Sequence, residues 1–350
     1  MHRRSFLALV SATAAATTLA ACQTGPSGDS GASASSPSGA GSSGSAAGAF
    51  PVTIKHALGS TTIEQKPTRV ATLGWSDADM VLALGVVPVG CPKITWGGNK
   101  NESTDSFDKA LAKIGGQQPT RYSDADGAPV DEIAKLRPDL ILATNSGVTK
   151  EEYARLSKIA PVIAYPGEAY GTSWQDGVKL AGQALGLEGK AKQVTAATEK
   201  AIRDAVAKYP AIKGKTASWL MIQPTDLSKF AAYTTLDNRP RMLENLGMKN
   251  APIVTQLSKG KKTFSVDISS EKASTLDADV VVFYIEKPGE EKTFTSHPLI
   301  GQIPALKDGA YVATLEPGES YFMSSPTPLT IPEGLPRLLP KLQAAATKAK

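Results

Sequence analysis

A serine and a lysine three positions apart have the types and spacing of a nucleophilic catalytic pair. Ser269-Ser-Glu-Lys272 fits the S-x-x-K pattern of serine penicillin-binding enzymes, which attack acyl groups through the serine hydroxyl. Those enzymes also carry a later K-T-G motif, whereas here the similar Lys262-Thr-Phe264 precedes the pair. The sequence contains neither G-x-S-x-G nor H-E-x-x-H. A serine hydrolase is therefore an alternative that rests on one short motif.

Two other short motifs approach phosphate and calcium sites without completing them. Gly214-Lys-Thr216 resembles the end of a phosphate-binding loop, but Tyr209 occupies the place of that loop's first glycine. Asp124-Ala-Asp-Gly127 resembles the start of a calcium loop, but Lys135 stands at the twelfth position, where a glutamate is needed. We therefore predict no nucleotide or calcium site here and interpret residues 124–127 as a solvated loop.

Composition and charge are typical of a folded protein that binds no nucleic acid. The 350 residues are 41% hydrophobic and 20% charged, with a formal net charge of +5 that falls to +3 without Arg3 and Arg4. A balance this mild does not favour a nucleic-acid partner. Beyond residue 21 the histidines are His56 and His297, far apart in the chain. A zinc- or manganese-binding protein, which needs clustered histidines and carboxylates, is therefore a weaker alternative.

The first cysteine follows a stretch that is typical of an export signal. Two arginines precede a mostly small or apolar run that is too short and too weakly hydrophobic to span a membrane. Leu19-Ala-Ala-Cys22 resembles a bacterial lipobox, and Arg3–Leu7 resembles the twin-arginine export pattern, which leaves the export route open. We expect residues 1–21 to be a signal peptide and Cys22 to carry lipid at the outer face of the bacterial cytoplasmic membrane.

A tether is predicted to follow the lipidated cysteine. Of the 27 residues from 23 to 49, 7 are Gly, 9 are Ser and 6 are Ala, so they cannot bury enough apolar surface to fold. A flexible chain of this length spans roughly 30 Å. The folded part is therefore predicted to begin near Phe50, and Cys91 is predicted to be a buried small apolar residue rather than half of a disulfide.

Strands and helices are predicted to alternate on both sides of a long helical stretch. This βα alternation predicts mainly parallel sheets. The first series comprises a hairpin with its turn at Gly59-Ser60 within 52–63, strands at 67–73, 86–89, 139–143 and 162–165, and helices at 76–85 and 149–159. The helical stretch covers 176–209, with an interruption at Gly186–Gly189. The second series comprises strands at 218–222, 280–285 and 311–314 and a helix at 240–246.

Several segments resemble the substrate-binding lipoproteins of iron–siderophore and cobalamin ABC importers. Their shared order and spacing carry the resemblance, which extends from Val52 to the C-terminus: Lys66–Leu73, Ala83–Gly90, Asp131–Leu142, Leu156–Tyr165, Gly171–Trp174 and Glu271–Val282. The resemblance implies an α/β fold of two Rossmann-like lobes joined by a single long helix, the class III periplasmic-binding-protein fold. It places the N-terminal lobe at 50–172, the helical connection at 173–210 and the C-terminal lobe at 211–350.

The resemblance also implies a function. Such a protein captures a ferric siderophore between its lobes and delivers it to the membrane subunits of an ABC importer, without catalysis and without a cofactor. A cobalamin or haem ligand is the alternative within the same fold. The single long helix implies modest lobe closure, and we expect a monomer.

Bulky ferric siderophores call for aromatic faces and a few cations in the cleft. The predicted ligand-binding residues follow strands or flank glycines: Trp75, Trp96, Tyr165, Tyr170, Trp174, Tyr233, Arg239, Tyr284 and Phe322. Arg121, Tyr122 and Arg241 are weaker candidates, and Trp219 is assigned to the core. Arg239 and the positive net charge lean towards an anionic complex.

Acidic residues in each lobe are predicted to dock on the importer, because family members present an acid there to arginines of the membrane subunits. By position the second-lobe acid is Glu271. The first-lobe position falls on Asp131, where the family usually has glutamate, so the choice between Asp131 and Glu132 stays open. Carboxylate–guanidinium pairs suit docking because they are bidentate and directional. Both positions are also compatible with acids that stabilise a helix N-terminus.

Overall fold

The computed structural model describes residues 50–315 and 320–350. The predicted signal peptide, the lipid attachment at Cys22 and the tether lie outside these residues. None of the helices in the two described ranges combines the length and apolar character that spanning a bilayer requires.

A two-stranded antiparallel hairpin begins the described chain. It consists of β1 (Val52–His56) and β2 (Gly59–Ile63). The predicted turn at Gly59-Ser60 is wrong by two residues, because Gly59 pairs with His56 and already belongs to the second strand. The turn falls instead at Ala57-Leu58.

The first sheet contains five parallel strands in the order β5-β4-β3-β6-β7. Its strands are β3 (Val70–Thr72), β4 (Gly90–Pro92), β5 (Thr120–Tyr122), β6 (Leu140–Ala143) and β7 (Val162–Ala164). Its helices are α1 (Asp77–Ala83), α2 (Asp105–Lys113), α3 (Val130–Lys135) and α4 (Lys150–Leu156). The strand predicted at 86–89 lies four residues later, because Gly90 is the residue that pairs with Ala71 of β3.

Two helices then lead out of the first sheet, as predicted. They are α5 (Trp174–Leu185) and α6 (Glu188–Val206), and they are separated where Gly186 adopts the left-handed conformation at φ 65° that commonly ends helices. The 19 residues of α6 give a rod of about 28 Å at 1.5 Å per residue. A short 3-10 helix, Pro210–Ile212, joins α6 to the second sheet.

The second sheet is mixed rather than mainly parallel, which corrects the prediction for this half of the chain. Its order is β11-β9-β8-β12-β13, and β10 also pairs with β8. Strands β8, β12, β13 and β10 run parallel, whereas β9 and β11 are antiparallel to their neighbours. The strands are β8 (Thr216–Gln223), β9 (Asp226–Tyr233), β10 (Lys249–Asn250), β11 (Ser265–Ser269), β12 (Val280–Ile285) and β13 (Tyr311–Leu315).

Helices surround this second sheet and close the chain. The α-helices are α7 (Asn238–Asn245), α8 (Pro252–Ser258), α9 (Glu291–Thr295), α10 (Pro304–Lys307), α11 (Tyr321–Ser324) and α12 (Thr330–Lys348). Two more 3-10 helices are Ser270–Thr275 and Ile300–Gln302. The last helix, α12, packs against α6, β13 and α2, so it contacts both halves of the molecule.

One apolar core runs from the first sheet to the second. It includes Val70 and Leu140 of the first sheet, Trp174 of α5, and Val282 of the second sheet, all buried. Trp219 of β8 is fully buried in the same core, which confirms its predicted place. Burying a large apolar side chain stabilises a fold by about 1.5–3 kcal/mol, so pulling the two sheets far apart would be costly.

Hydrogen bonds and an ion pair also cross between the two halves. The hydroxyl of Thr327 donates to Asp79 Oδ2 at 2.8 Å. On the adjacent face, Glu333 of α12 accepts from Ser106 Oγ at 2.8 Å and from Lys109 Nζ at 2.9 Å. Burial raises the pKa of Asp79 to about 6, although Thr327 and the nearby Arg121 act in the opposite direction.

The pKa of Asp79 predicts how stability depends on pH. An unfolded aspartate titrates near pH 3.9, so between about pH 4 and 6 the folded state binds more protons than the unfolded state. Through this window the contribution of Asp79 to the free energy of unfolding should therefore fall as the pH rises. Asp79→Asn should remove that contribution, so the free energy of unfolding, measured in urea from pH 4 to 7, should fall less or rise more with pH than it does in the unmodified chain.

The control is Asp204→Asn, which changes an exposed aspartate on α6. In this variant the free energy of unfolding should change with pH as it does in the unmodified chain. If the free energy of unfolding of Asp79→Asn changed with pH as steeply as that of the unmodified chain, the raised pKa of Asp79 would be contradicted.

Candidate ligand-binding cleft

A cavity of about 570 Å³ lies between the two halves of the molecule. The first half contributes residues that follow the carboxyl ends of β3, β4 and β5, where open α/β sheets form ligand crevices. The second half contributes one residue of α7 and residues in and after α11. The lining residues are Trp75, Pro92, Lys93, Ile94, Thr95, Trp96, Asp124, Ala125, Tyr170, Arg239, Tyr321, Ser324 and Ser325.

Aromatic side chains provide much of the open surface of this cleft. Trp75 is 54% exposed, Trp96 is 47% exposed and Tyr170 is 41% exposed, and all three line the cavity. The rings of Trp75 and Tyr170 lie 5.1 Å apart, and those of Trp96 and Tyr321 lie 6.1 Å apart. Exposed aromatics gathered in one cleft are typical of a site that stacks against a bulky organic ligand.

Tyr170 has a strained backbone conformation. Its φ is 57°, in the left-handed region that non-glycine residues seldom adopt. Its amide donates to Ser146 O at 3.0 Å, and its ring lies so close to Gly147 that a Cβ there would overlap the ring. Strained residues of this kind persist where the surroundings hold them and are common at ligand sites.

Arg239 is a fixed cation whose charge is already matched. Its Nη1 donates to both oxygens of Asp237, at 2.9 and 2.8 Å, and its Nε donates to the hydroxyl of Tyr284. The guanidinium carbon lies 4.4 Å from the ring centre of Tyr233. Although burial acts against the charge, Asp237 raises the pKa of Arg239. No described residue accepts a hydrogen bond from Nη2, so this group can donate to a ligand.

Arg121 supports the cleft from below. It donates through Nη2 to Ser103 Oγ at 2.9 Å and through Nη1 to Pro92 O at 3.3 Å. Its guanidinium carbon also lies 4.8 Å from the ring centre of Phe107. These contacts hold both ends of the segment that carries Trp96, so Arg121 positions the cleft wall. Cys91 beside it is fully buried, as predicted, and burial raises the pKa of its thiol to about 12.

The structure brings together four of the nine predicted ligand-binding residues in the lining of this cavity: Trp75, Trp96, Tyr170 and Arg239. Tyr233 and Tyr284 lie behind Arg239 and hold it. Trp174 is only 2% exposed and donates from Nε1 to Asn245 Oδ1 at 3.0 Å, so it links the two halves inside the core.

Phe322 and Tyr165 also lie outside the lining. Phe322 is 4% exposed, and its ring occupies the space above Gly334 of α12. Tyr165 packs beside the core of the first sheet, and its carbonyl accepts from the amide of Ala57. Of the weaker candidates, Tyr122 is buried, and Arg241 donates to Gly171 O at 2.6 Å across the cleft's edge.

Sequence reasoning missed five polar residues of the lining: Lys93, Thr95, Asp124, Ser324 and Ser325. Lys93 follows β4 and forms an ion pair with Glu102 at 2.9 Å, and Asp124 follows β5, which was not predicted as a strand. Tyr321 and Ser324 lie on α11, where Phe322 was the residue chosen. Residues 321–324 form a single helical turn, with Tyr321 and Ser324 on its cleft side and Phe322 on its core side. A helix of four residues is too short to be recognised from the periodicity of the sequence.

The predicted docking acids are exposed in both halves. Asp131 and Glu132 lie in the first turn of α3, and Glu271 lies in the first turn of the 3-10 helix Ser270–Thr275. None of the three forms an ion pair with another described residue. All three carboxylates therefore remain available to a partner.

Comparisons with known proteins agree with this architecture. The model of the periplasmic binding protein family matches residues 70–317. A probable siderophore-binding lipoprotein of Bacillus subtilis, YfiY, is 30% identical over 270 residues, covering 73% of this chain and 78% of the relative. The iron(3+)-hydroxamate-binding protein YxeB of the same species is 28% identical over 249 residues, covering 69% of this chain and 70% of the relative.

A solved structure extends the comparison to three dimensions. The crystal structure of PiaA from Streptococcus pneumoniae TIGR4, in complex with ferrichrome, superimposes with a TM-score of 0.80. It is 35% identical, and the match covers 85% of this chain and 99% of PiaA. The predicted two-lobed α/β fold is confirmed, and this chain belongs to the periplasmic binding protein family.

Proposed function

We propose that this protein captures a ferric siderophore in the cleft and delivers it to an ABC importer. The observation that carries the proposal is one cavity of about 570 Å³, lined from both halves by exposed aromatics and by Arg239. That volume lies within the roughly 300–1,000 Å³ of small-molecule sites. The relative named as a probable siderophore-binding lipoprotein and the ferrichrome-bound neighbour support the same ligand class.

The charges in the cleft favour a neutral ferric hydroxamate over an anionic catecholate. Arg239 is matched by Asp237, and Lys93 is matched by Glu102, so neither cation is in excess. Asp124 adds a negative charge to the lining. A strongly anionic complex would meet no net positive field here, which reverses the expectation drawn from Arg239 and the positive net charge. A relative named for iron(3+)-hydroxamate binding supports this choice.

Capture and delivery are the whole proposed activity. The protein would catalyse no reaction and need no cofactor, because the iron arrives within its ligand. A lipid on Cys22 would hold it, as a monomer, at the outer face of the cytoplasmic membrane, and the segment from 23 to 49 would give it reach. Asp131 or Glu132, together with Glu271, would meet arginines of the importer's membrane subunits.

Ligand binding is tested by tryptophan fluorescence of the full chain in detergent, titrated with a ferric trihydroxamate, a ferric tricatecholate, haem and cobalamin. We expect saturable quenching at sub-micromolar concentration by the trihydroxamate, and none by its iron-free form. Trp75→Ala should weaken that binding about tenfold, because a stacked aromatic face contributes on the order of 1 kcal/mol or more.

The matched control is Leu299→Ala, which truncates another exposed apolar side chain, one outside the cavity lining. It should bind like the unmodified chain. Binding of haem or cobalamin alone would keep the fold and replace the proposed ligand, and binding of none of the four would reject the proposal.

Docking is tested by combining Asp131→Ala, Glu132→Ala and Glu271→Ala. Uptake of the ferric ligand by cells should fall at least about tenfold, since charged pairs at a docking surface are lost, while the affinity of the purified variant for the ligand should not change. A second triple variant, Glu64→Ala, Glu151→Ala and Glu244→Ala, removes three other exposed acids and should leave uptake intact. Weaker ligand binding in the first variant would argue against a docking role.

A further inference from the structure

A second cavity of about 260 Å³ opens beside the cleft. The two cavities share three lining residues, Asp124, Ala125 and Tyr170, so one continues into the other. The outer wall is formed by the segment Ser146–Thr149 and by Glu152 of α4. Since one water takes about 30 Å³ in the liquid, this side cavity has room for a short aminoalkyl chain.

Glu152 fixes the far wall, and each of its carboxylate oxygens already accepts a hydrogen bond from a backbone amide. Its Oε1 accepts from the amide of Ala128 at 2.7 Å, and its Oε2 accepts from the amide of Thr149 at 2.8 Å. Although partial burial acts the other way, these amides lower the pKa of Glu152, so it stays charged at neutral pH. Gly127 approaches it so closely that a Cβ there would lie 2.6 Å from Oε1.

Asp124 lies on the wall that the side cavity shares with the cleft, and its surroundings differ from those of Glu152. It is half-buried, and no other described side chain or amide donates a hydrogen bond to its carboxylate or forms an ion pair with it. The described lining of the side cavity holds two carboxylates and no lysine, arginine or histidine. A partly desolvated carboxylate without a partner is stabilised by a cation that reaches it.

On the basis of the function proposed above, we propose that the side cavity is a subsite for a protonated amine on an arm of the siderophore, with Asp124 as its partner. A bare divalent cation fits less well, because calcium takes 6–8 oxygen ligands, whereas the described lining offers two carboxylates and the described residues hold no cluster of three or more potential metal ligands. A primary ammonium needs only a few acceptors, and its alkyl chain can lie along the ring of Tyr170. Asp124 is thus a specificity-determining residue for which ferric complexes bind.

The test compares two ligands that differ at one group. One is a linear ferric trihydroxamate that ends in a primary amine, and the other is the same complex after N-acetylation of that amine. At pH 7 the full chain should bind the amine form about tenfold more tightly, as a charge-assisted hydrogen bond would provide. In Asp124→Asn the ratio of the two affinities should fall to about one.

Asp126→Asn is the matched control, because it makes the same change at an exposed position in the same loop, outside the lining. It should keep the tenfold ratio, and thermal unfolding should show that both variants are folded. Equal binding of the two ligands by the unmodified chain would overturn the subsite and leave siderophore capture standing. An equal loss of the ratio in both variants would also overturn it, and failure to bind either ligand would overturn the proposed function as well.

Discussion

The apolar core shared by the two sheets is the constraint on which the rest of the structure depends. Trp174 of α5, Trp219 of β8 and Leu338 of α12 are buried in one continuous cluster with strands of both lobes. Each lobe therefore completes the other's core, and a wide separation would expose large apolar surfaces. This holds the two lobes together on either side of the cleft, and the hydrogen bond from Thr327 to Asp79 adds a polar link between them.

Within that fixed frame, the cleft combines open aromatic faces with cations whose charges are already balanced. Arg239 is held on three sides by Asp237, Tyr284 and Tyr233, so its free donor needs no rearrangement before binding. Preorganisation of this kind reduces the entropy cost of binding. A ligand that is large, mostly uncharged and rich in oxygen acceptors matches these features, and a ferric hydroxamate is such a ligand.

The two-lobed α/β fold could be predicted from the sequence because βα alternation and buried strands leave strong local signals. Periodicity failed where a strand is polar in half its length, as in β9, and where a helix has only four residues, as in α11. Trp174 was predicted to bind ligand but lies in the core. The sequence does not separate these two places, because an aromatic residue at the start of a helix can face either a cleft or a core. Asp124 was first interpreted as part of a solvated loop, because only the tertiary structure places it on the wall between two cavities.

The most direct measurement is a crystal structure of the complex with a ferric trihydroxamate, with the iron located by its anomalous scattering. We predict a single iron peak in the cleft, within reach of Trp75, Trp96 and Arg239, and lobes displaced only slightly from their present positions. An iron peak outside this cleft, or a wide rotation of the lobes that breaks their shared core, would contradict it.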